Sequence, residues 1–323
     1  MSSQISSRLV KLEMRALVTG ASGLIGCELC KRMLADGHSL VCLSRAARVD
    51  QPNIHWIKHD LALDPWTGLP PLQFDLVFHL AGQTSTYRAQ RDPIEDTRVN
   101  VLGMLNLFEY LRAHSSIPFV VIAGTATEVG LPETLPINEE LQDYPITFYD
   151  LSKLAAEMYL MQYVREGLLK GCALRLANVF GRRTDEQQAD RGILDRVFSQ
   201  AKLGKAITIY GDGGYLRDYI FIDDVVSALV AATNNRNETN GRYFYIGTGK
   251  GTTLKDAFFK VAALAIGDAE PSCMFEYVPP PNELSPIEFR NAVIDSTAFR
   301  QATGWIPKYD FDRGLLAAYG GCL

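Results

Sequence analysis

The chain has 323 residues, 47% of them hydrophobic, with 37 acidic against 32 basic residues and a formal charge of −5. The two signs are interleaved, so neither a nucleic-acid nor a membrane-surface role is supported. No apolar stretch reaches the roughly 20 residues of a membrane span, and the opening MSSQISSRLVKLE lacks the apolar core of a signal peptide; a soluble, cytoplasmic protein is expected.

Before Met14 the residues are polar and expected to be loose. Structure begins with a strand from Arg15 to Thr19. A helix from about Leu24 to Ala35 follows, closed by Asp36-Gly37, and then a buried strand from Ser39 to Leu43. Strand, helix and strand within about 30 residues make the βαβ unit of a parallel sheet. Cys27 and Cys30 fall in that helix. They are the one close pair among six cysteines, the others being Cys42, Cys172, Cys273 and Cys322. No second pair completes a metal site, so reduced, mostly buried thiols and no metal are expected.

Further strands are expected at Ile54 to Ile57, Phe74 to Leu80, Phe119 to Ala123 and Cys172 to Leu176, with helices over Asp96 to Arg112 and Thr147 to Arg165. This alternation predicts an α/β fold, a doubly wound parallel sheet of Rossmann type. After Gly181 the pattern loses regularity, with Pro-rich loops at Pro279 to Pro281 and around Pro286. Strand-like segments recur at Ile207 to Tyr210, Tyr219 to Ile222 and Tyr243 to Ile246. The expected division is a dinucleotide-binding domain over 14–180 and a smaller substrate-binding region over 181–323 that returns strands to the main sheet.

Between the first strand and helix, Gly20, Gly23 and Gly26 stand three apart in Thr19-Gly20-Ala21-Ser22-Gly23-Leu24-Ile25-Gly26. Such a turn lets backbone approach a pyrophosphate, and a helix N-terminus offers free N–H groups. Gly20, Ser22, Gly23, Leu24, Ile25 and Gly26 are therefore candidates for cofactor binding. At the end of the second strand, where an NAD enzyme commonly offers an acid to the ribose, the sequence reads Ser44-Arg45-Ala46-Ala47-Arg48. Arginine suits a 2′-phosphate, which favours NADP(H) over NAD(H). The alternative is that Arg45 and Arg48 are solvated loop residues and the cofactor is NAD.

Tyr149 and Lys153 stand four apart, on one face of the expected helix, where a cation can lower the phenol pKa. Thr125, in the loop after the Phe119 strand, sits where open α/β folds bind ligands and is the candidate to bond a reacting hydroxyl. His79, in an apolar run, reads as a buried structural histidine.

Together these residues resemble the extended short-chain dehydrogenase/reductases, the family of nucleotide-sugar 4-epimerases, 4,6-dehydratases and 4-keto sugar reductases. The resemblance covers nearly the whole chain from Met14. It implies adenine contacts at Asp60 and Leu61, a nicotinamide loop at Leu80, Ala81 and Gly82, and substrate contacts at Gln83 and Thr84. It also implies that Asn100 supports the catalytic helix beside the cofactor, and that Lys153 reaches the nicotinamide ribose. Asn178, Arg217 and Arg290 match residues that hold the substrate diphosphate, and the helices over Asp96 to Arg112 and Thr147 to Arg165 match a homodimer interface.

The family's dehydratases carry an Asp-Glu pair directly after the threonine. Here Ala126 and Thr127 stand there, and Glu128 comes one residue late, which reverses its direction along an extended segment. Val129 and Gly124 also replace a tyrosine and a serine usual in the family. The expectation is hydride transfer at C4 of a nucleotide sugar, by an NADPH-dependent 4-keto sugar reductase. A UDP-glucose 4-epimerase-like enzyme with tightly held NAD is the alternative, ahead of a non-catalytic dinucleotide sensor.

Overall fold

The computed structural model describes residues 13–66, 72–114, 117–181, 192–267, 271–281 and 284–320. The opening expected to be loose, the Cys273 side chain and Cys322 lie outside the described residues. In chain order, β1 (Arg15–Thr19) leads into α1 (Leu24–Ala35), β2 (Ser39–Ser44), β3 (Ile54–Lys58) and β4 (Leu76–His79). Two short helices, α2 (Thr86–Arg91) and α3 (Pro93–Thr97), run through a π turn (Arg98–Leu102) into α4 (Gly103–Ala113). Then come β5 (Phe119–Thr125), a 3-10 turn (Ala126–Val129), α5 (Phe148–Arg165) and β6 (Lys170–Leu176). The remainder comprises β7 (Asn178–Phe180), α6 (Ile193–Lys202), β8 (Ile207–Tyr210), β9 (Leu216–Phe221), α7 (Ile222–Asn234), α8 (Arg236–Thr239), β10 (Tyr243–Ile246), β11 (Gly251–Thr253), α9 (Leu254–Ile266), β12 (Phe275–Val278), α10 (Thr297–Thr303) and α11 (Phe311–Tyr319).

Among the described residues seven strands form one parallel sheet, ordered β3-β2-β1-β4-β5-β6-β10. Both faces are covered, which is why its strands read as continuous apolar runs. Side chains alternate across it: Ala16 and Val18 pack with Leu29 and Met33 of α1 and Leu229 of α7, whereas Leu17 joins Leu107 and Phe108 of α4 and Leu160 of α5 on the opposite face. Full burial of each such Val or Leu contributes about 1.5 to 3 kcal/mol. The architecture is a Rossmann-type doubly wound α/β fold.

Chain direction across the sheet reverses between β1 and β4, and the carboxyl ends of β1, β4 and β5 open on the crevice this creates. A second apolar cluster joins Phe180, Leu194, Val197, Ile209, Phe258 and Leu315 around a small sheet of β11, β9 and β7.

The helix expected over Asp96 to Arg112 is present, running from α3 into α4 through the π turn. Its extra residue per turn rotates Asn100 inward, where it is 3% exposed. Strand β9 starts at Leu216 and stops at Phe221, and Ile222 opens α7 instead of ending a strand.

Candidate active site

Gly20 adopts φ +67°, and a Cβ there would lie 2.6 Å from the Ala81 backbone N; at Gly26 a Cβ would come within 2.2 Å of the Gly20 carbonyl. Only glycine lets the turn close against both the helix and the loop after β4. Gly23 caps α1 with no side-chain hydrogen bond, and the first turn of α1 holds no acid, so its N–H groups and positive dipole end face the crevice. Ser22, Leu24 and Ile25 complete the turn. This cradle fits a dinucleotide pyrophosphate.

At the end of β2, Ser44 is buried and bonds the backbone N of Ala46 at 3.3 Å, while Arg45 and Arg48 are exposed. The Arg48 guanidinium lies over the Trp56 ring, 5.1 Å from its centroid, which leaves Arg45 as the arginine with room to move. After β3, Asp60 Oδ1 accepts the N–H of Ala62 and the Leu61 carbonyl accepts from Trp66 Nε1, so this corner is shaped by its own bonds.

The loop after β4 is anchored at both ends. Thr19 Oγ1 takes the Ala81 N–H at 3.2 Å and bonds His79 Nδ1 at 3.0 Å. His79 is buried, and burial first, then Lys153, pulls its pKa down to about 3. Asn100 Oδ1 accepts from Gln83 N at 2.9 Å, and Asn100 Nδ2 reaches Ser152 Oγ at 3.0 Å, tying this loop to α5. Leu80, Ala81 and Gly82 thus present backbone to the crevice from a braced loop, with Thr84 exposed beyond them. Gln83 departs from its expected substrate role: it is 6% exposed, and its Nε2 donates to Asp96 Oδ1 at 2.7 Å and to the Ser85 carbonyl at 2.9 Å. Its amide is taken up inside the protein, so it braces the loop.

Thr125 ends β5, caps the 3-10 turn, bonds Thr127 Oγ1 at 2.9 Å and stands beside the Tyr149 phenol. Lys153 shares a helix face with Tyr149, and its ammonium donates to the Ala123 carbonyl on β5. The expected depression of the phenol is therefore replaced by its opposite. Burial first, then the carboxyls of Asp150 and Glu128, push the Tyr149 pKa up, opposed by the bond from Thr125. Burial lowers the Lys153 pKa, against the pull of Glu128, Glu157 and Asp96.

Beneath the trio lies a charge cluster that sequence reasoning does not single out. Arg175, 0% exposed, donates to Glu157 and Asp143 at 2.6 to 2.9 Å and to the Tyr245 hydroxyl at 2.9 Å, and its Nε lies 2.9 Å from Glu128. A lone arginine inside the apolar Cys172 to Leu176 run is the signal that marks it, since an interior charge needs partners. Burial and Glu157 hold the Glu128 carboxyl well above its ordinary range. Glu128 faces this cluster and the backbone of Thr125, away from the crevice.

On the far wall, Arg217 is 5% exposed and donates to the carbonyls of Leu216, Arg290 and Glu288. It pins the segment carrying Arg290, so part of its expected phosphate-binding capacity serves the fold. Arg290 donates to the Ile287 carbonyl at 2.7 Å, and its buried Nε has no partner among the described residues. Burial first, then the Arg217 charge, lower its pKa to about 10, while Glu288, Asp150 and Tyr149 oppose. Two adjacent guanidinium groups form an electropositive wall facing Tyr149. Asn178, half-buried, opens β7 in register with Tyr219.

A sequence profile of the NAD dependent epimerase/dehydratase family matches residues 16–247. UDP-glucose 4-epimerase of Mycolicibacterium smegmatis is 34% identical over 313 residues, 94% of this chain and 96% of that protein. The solved UDP-glucose 4-epimerase of Thermotoga maritima with UDP-glucose aligns with a TM-score of 0.83 at 28% identity, covering 95% of this chain and 98% of that one. The Thermus thermophilus UDP-glucose 4-epimerase in complex with NAD aligns with a TM-score of 0.80 at 29% identity and the same coverage. No helix among the described residues is long and apolar enough to cross a membrane. The chain belongs to the NAD dependent epimerase/dehydratase family.

Proposed function

We propose that the protein is a nucleotide-sugar 4-epimerase that interconverts UDP-hexoses differing at C4. The observation that carries this is the buried Tyr149 phenol beside Thr125, which ends β5, with the Arg290 guanidinium facing it. The dinucleotide, when bound, supplies the acceptor and then the donor of the C4 hydride. Tyr149 removes the proton of the C4 hydroxyl and later returns it. Thr125 holds that oxygen in line, and Arg290 with Asn178 anchors the diphosphate while the 4-keto sugar turns. Lys153, on the Ala123 carbonyl, is placed to hold the ribose side of the cofactor.

The relatives favour this over the 4-keto reductase that Ser44 and Arg45 favoured. An epimerase returns the hydride it takes, so the chemistry runs with either dinucleotide, and exposed Arg45 still supports NADP(H) over NAD(H). Phe148, Leu151, Met158 and Tyr159 leave an apolar face of α5 exposed, which supports the homodimer.

The test is to incubate the protein with UDP-glucose, UDP-galactose and their N-acetyl forms and to follow interconversion with no net change in nicotinamide absorbance. Stoichiometric consumption of NADPH by a 4-keto sugar would instead establish the reductase. In Tyr149→Phe turnover should fall by roughly 100- to 10000-fold while cofactor affinity barely changes. Retention of most activity would overturn the mechanism.

A further inference from the structure

An arginine has five N–H donors, and those of Arg175 are all spent. Nε donates to Glu157 Oε2, Nη1 to Asp143 Oδ1 and the Tyr245 hydroxyl, and Nη2 to Asp143 Oδ2 and Glu157 Oε1. Glu128 Oε2 lies 2.9 Å from the same Nε, yet that nitrogen has one hydrogen, which Glu157 takes. Glu128 is 0% exposed, and its Oε2 has no hydrogen-bond partner among the described residues. Its Oε1 is engaged by the Thr125 N–H at 2.8 Å. A carboxylate oxygen left bare in the interior is costly, whereas in a carboxylic acid the same oxygen becomes a donor. Glu128 Oε2 and Glu157 Oε2, set against one nitrogen, would then be a donor and an acceptor in place of two like charges.

The charges that face Glu128 lead to the same state. Arg175 faces it from β6, Lys153, Glu157 and the Tyr149 phenol from α5, and the Tyr245 phenol from β10, while Asp143 in the loop before α5 joins through Arg175. Asp143 and Glu157 balance Arg175 and Lys153, so an ionised Glu128 leaves one excess negative charge in a buried cluster. Burial raises the Glu157 carboxyl as well, but bonds from Arg175 and then Glu128 oppose it. No bond from Arg175 reaches Glu128 Oε2, so of the two acids Glu128 is the less supported as an anion.

We propose that Glu128 works as a neutral carboxylic acid with its proton on Oε2, a positioning residue that fixes the Thr125 backbone without adding an anion to those that oppose a Tyr149 phenolate. Glu157 Oε2 is the acceptor for that proton, and Oε2 of Glu128 keeps a lone pair toward the guanidinium. The consequence for catalysis rests on the reading of Tyr149 as the group that exchanges the sugar proton; the protonation of Glu128 does not.

The test is NMR of protein labelled with δ-13C glutamate, the Glu128 signal being assigned by its loss in Glu128→Gln or, should that variant not fold, in Glu128→Asp. The signal should be that of a neutral acid at neutral pH and should titrate well above the ordinary carboxyl range. A carboxylate signal there overturns the proposal, as does a wild-type spectrum in which every glutamate is ionised.

Urea unfolding gives a second reading. Above the ordinary glutamate value of 4.5 the unfolded chain releases a proton that the folded chain keeps, so wild-type stability falls as pH rises from there toward the folded ionisation. Glu128→Gln lacks this dependence, and its folding constant relative to wild type should rise by up to about ten-fold per pH unit above that value. A ratio that stays constant with pH overturns the proposal. For catalysis, the ionisation that governs kcat/KM should keep its pH in Glu128→Gln, because a neutral amide replaces a neutral acid. A shift to lower pH would mean that an anion beside the phenol had been removed, and would overturn the positioning role. A neutral Glu128 together with an active Tyr149→Phe would uphold the protonation and overturn the reading of Tyr149.

Discussion

The Glu128 carboxyl accepts the backbone N–H of Thr125 at 2.8 Å from the protein side of the loop. Its other oxygen lies 2.9 Å from Arg175, so the threonine proposed to meet the substrate is fastened to a fully buried charge. Glu128→Ala strands both partners. Breaking a buried pair in this way costs about 3 to 5 kcal/mol, to be read from urea unfolding, and kcat should fall as the loop loosens. Glu128→Gln keeps an acceptor for Thr125 and should retain most of the stability. Equal stability of the alanine variant and wild type would show that the loop is held by other contacts.

Cofactor choice separates Arg45 from Arg48. With its guanidinium over Trp56, Arg48 should matter little to either dinucleotide. Arg45→Ala should weaken NADPH by about 1 to 3 kcal/mol and leave NADH nearly unchanged, measured by cofactor fluorescence. Equal wild-type affinity for the two would remove the support for NADP(H).

The sheet was legible because a buried parallel strand is written locally, as an apolar run bounded by turn residues. Arg15 to Thr19 and Ile207 to Tyr210 match their strands end to end. The π turn was not, because the extra residue is selected by the long-range bonds of Asn100 to Gln83 and Ser152. Spacing likewise put Tyr149 and Lys153 on one face but could not say which carbonyl a four-carbon stem would reach. The roles of Glu128 and Arg175 depend on partners 18 to 70 residues away and are carried by no motif.

The two arginines of the far wall should respond differently. Arg290→Ala removes the guanidinium whose Nε has no partner among the described residues and should raise KM for the sugar nucleotide far more than KM for the dinucleotide, with little loss of stability. Arg217→Ala also releases three carbonyls, so stability should drop by roughly 1 to 3 kcal/mol together with the rise in KM. If neither variant changes KM for the sugar nucleotide, this wall does not hold a diphosphate.

His79 should give the protein an acid-sensitive term in its stability. Its folded pKa of about 3 lies below the value near 6.5 of a free histidine. Between those limits the unfolded chain binds a proton that the folded protein refuses, so stability rises with pH across the window and is lost as pH falls from 6.5 toward 3. The term amounts to about 2 kcal/mol between pH 7 and pH 5. His79→Asn keeps a polar group facing Thr19 and deletes the titration. Urea unfolding of both proteins at pH 7 and pH 5 should show wild type losing about 2 kcal/mol more than the variant on acidification. Equal losses would mean that the His79 ring accepts a proton in the folded state, and that its bond to Thr19 does not keep the imidazole neutral beneath the loop after β4.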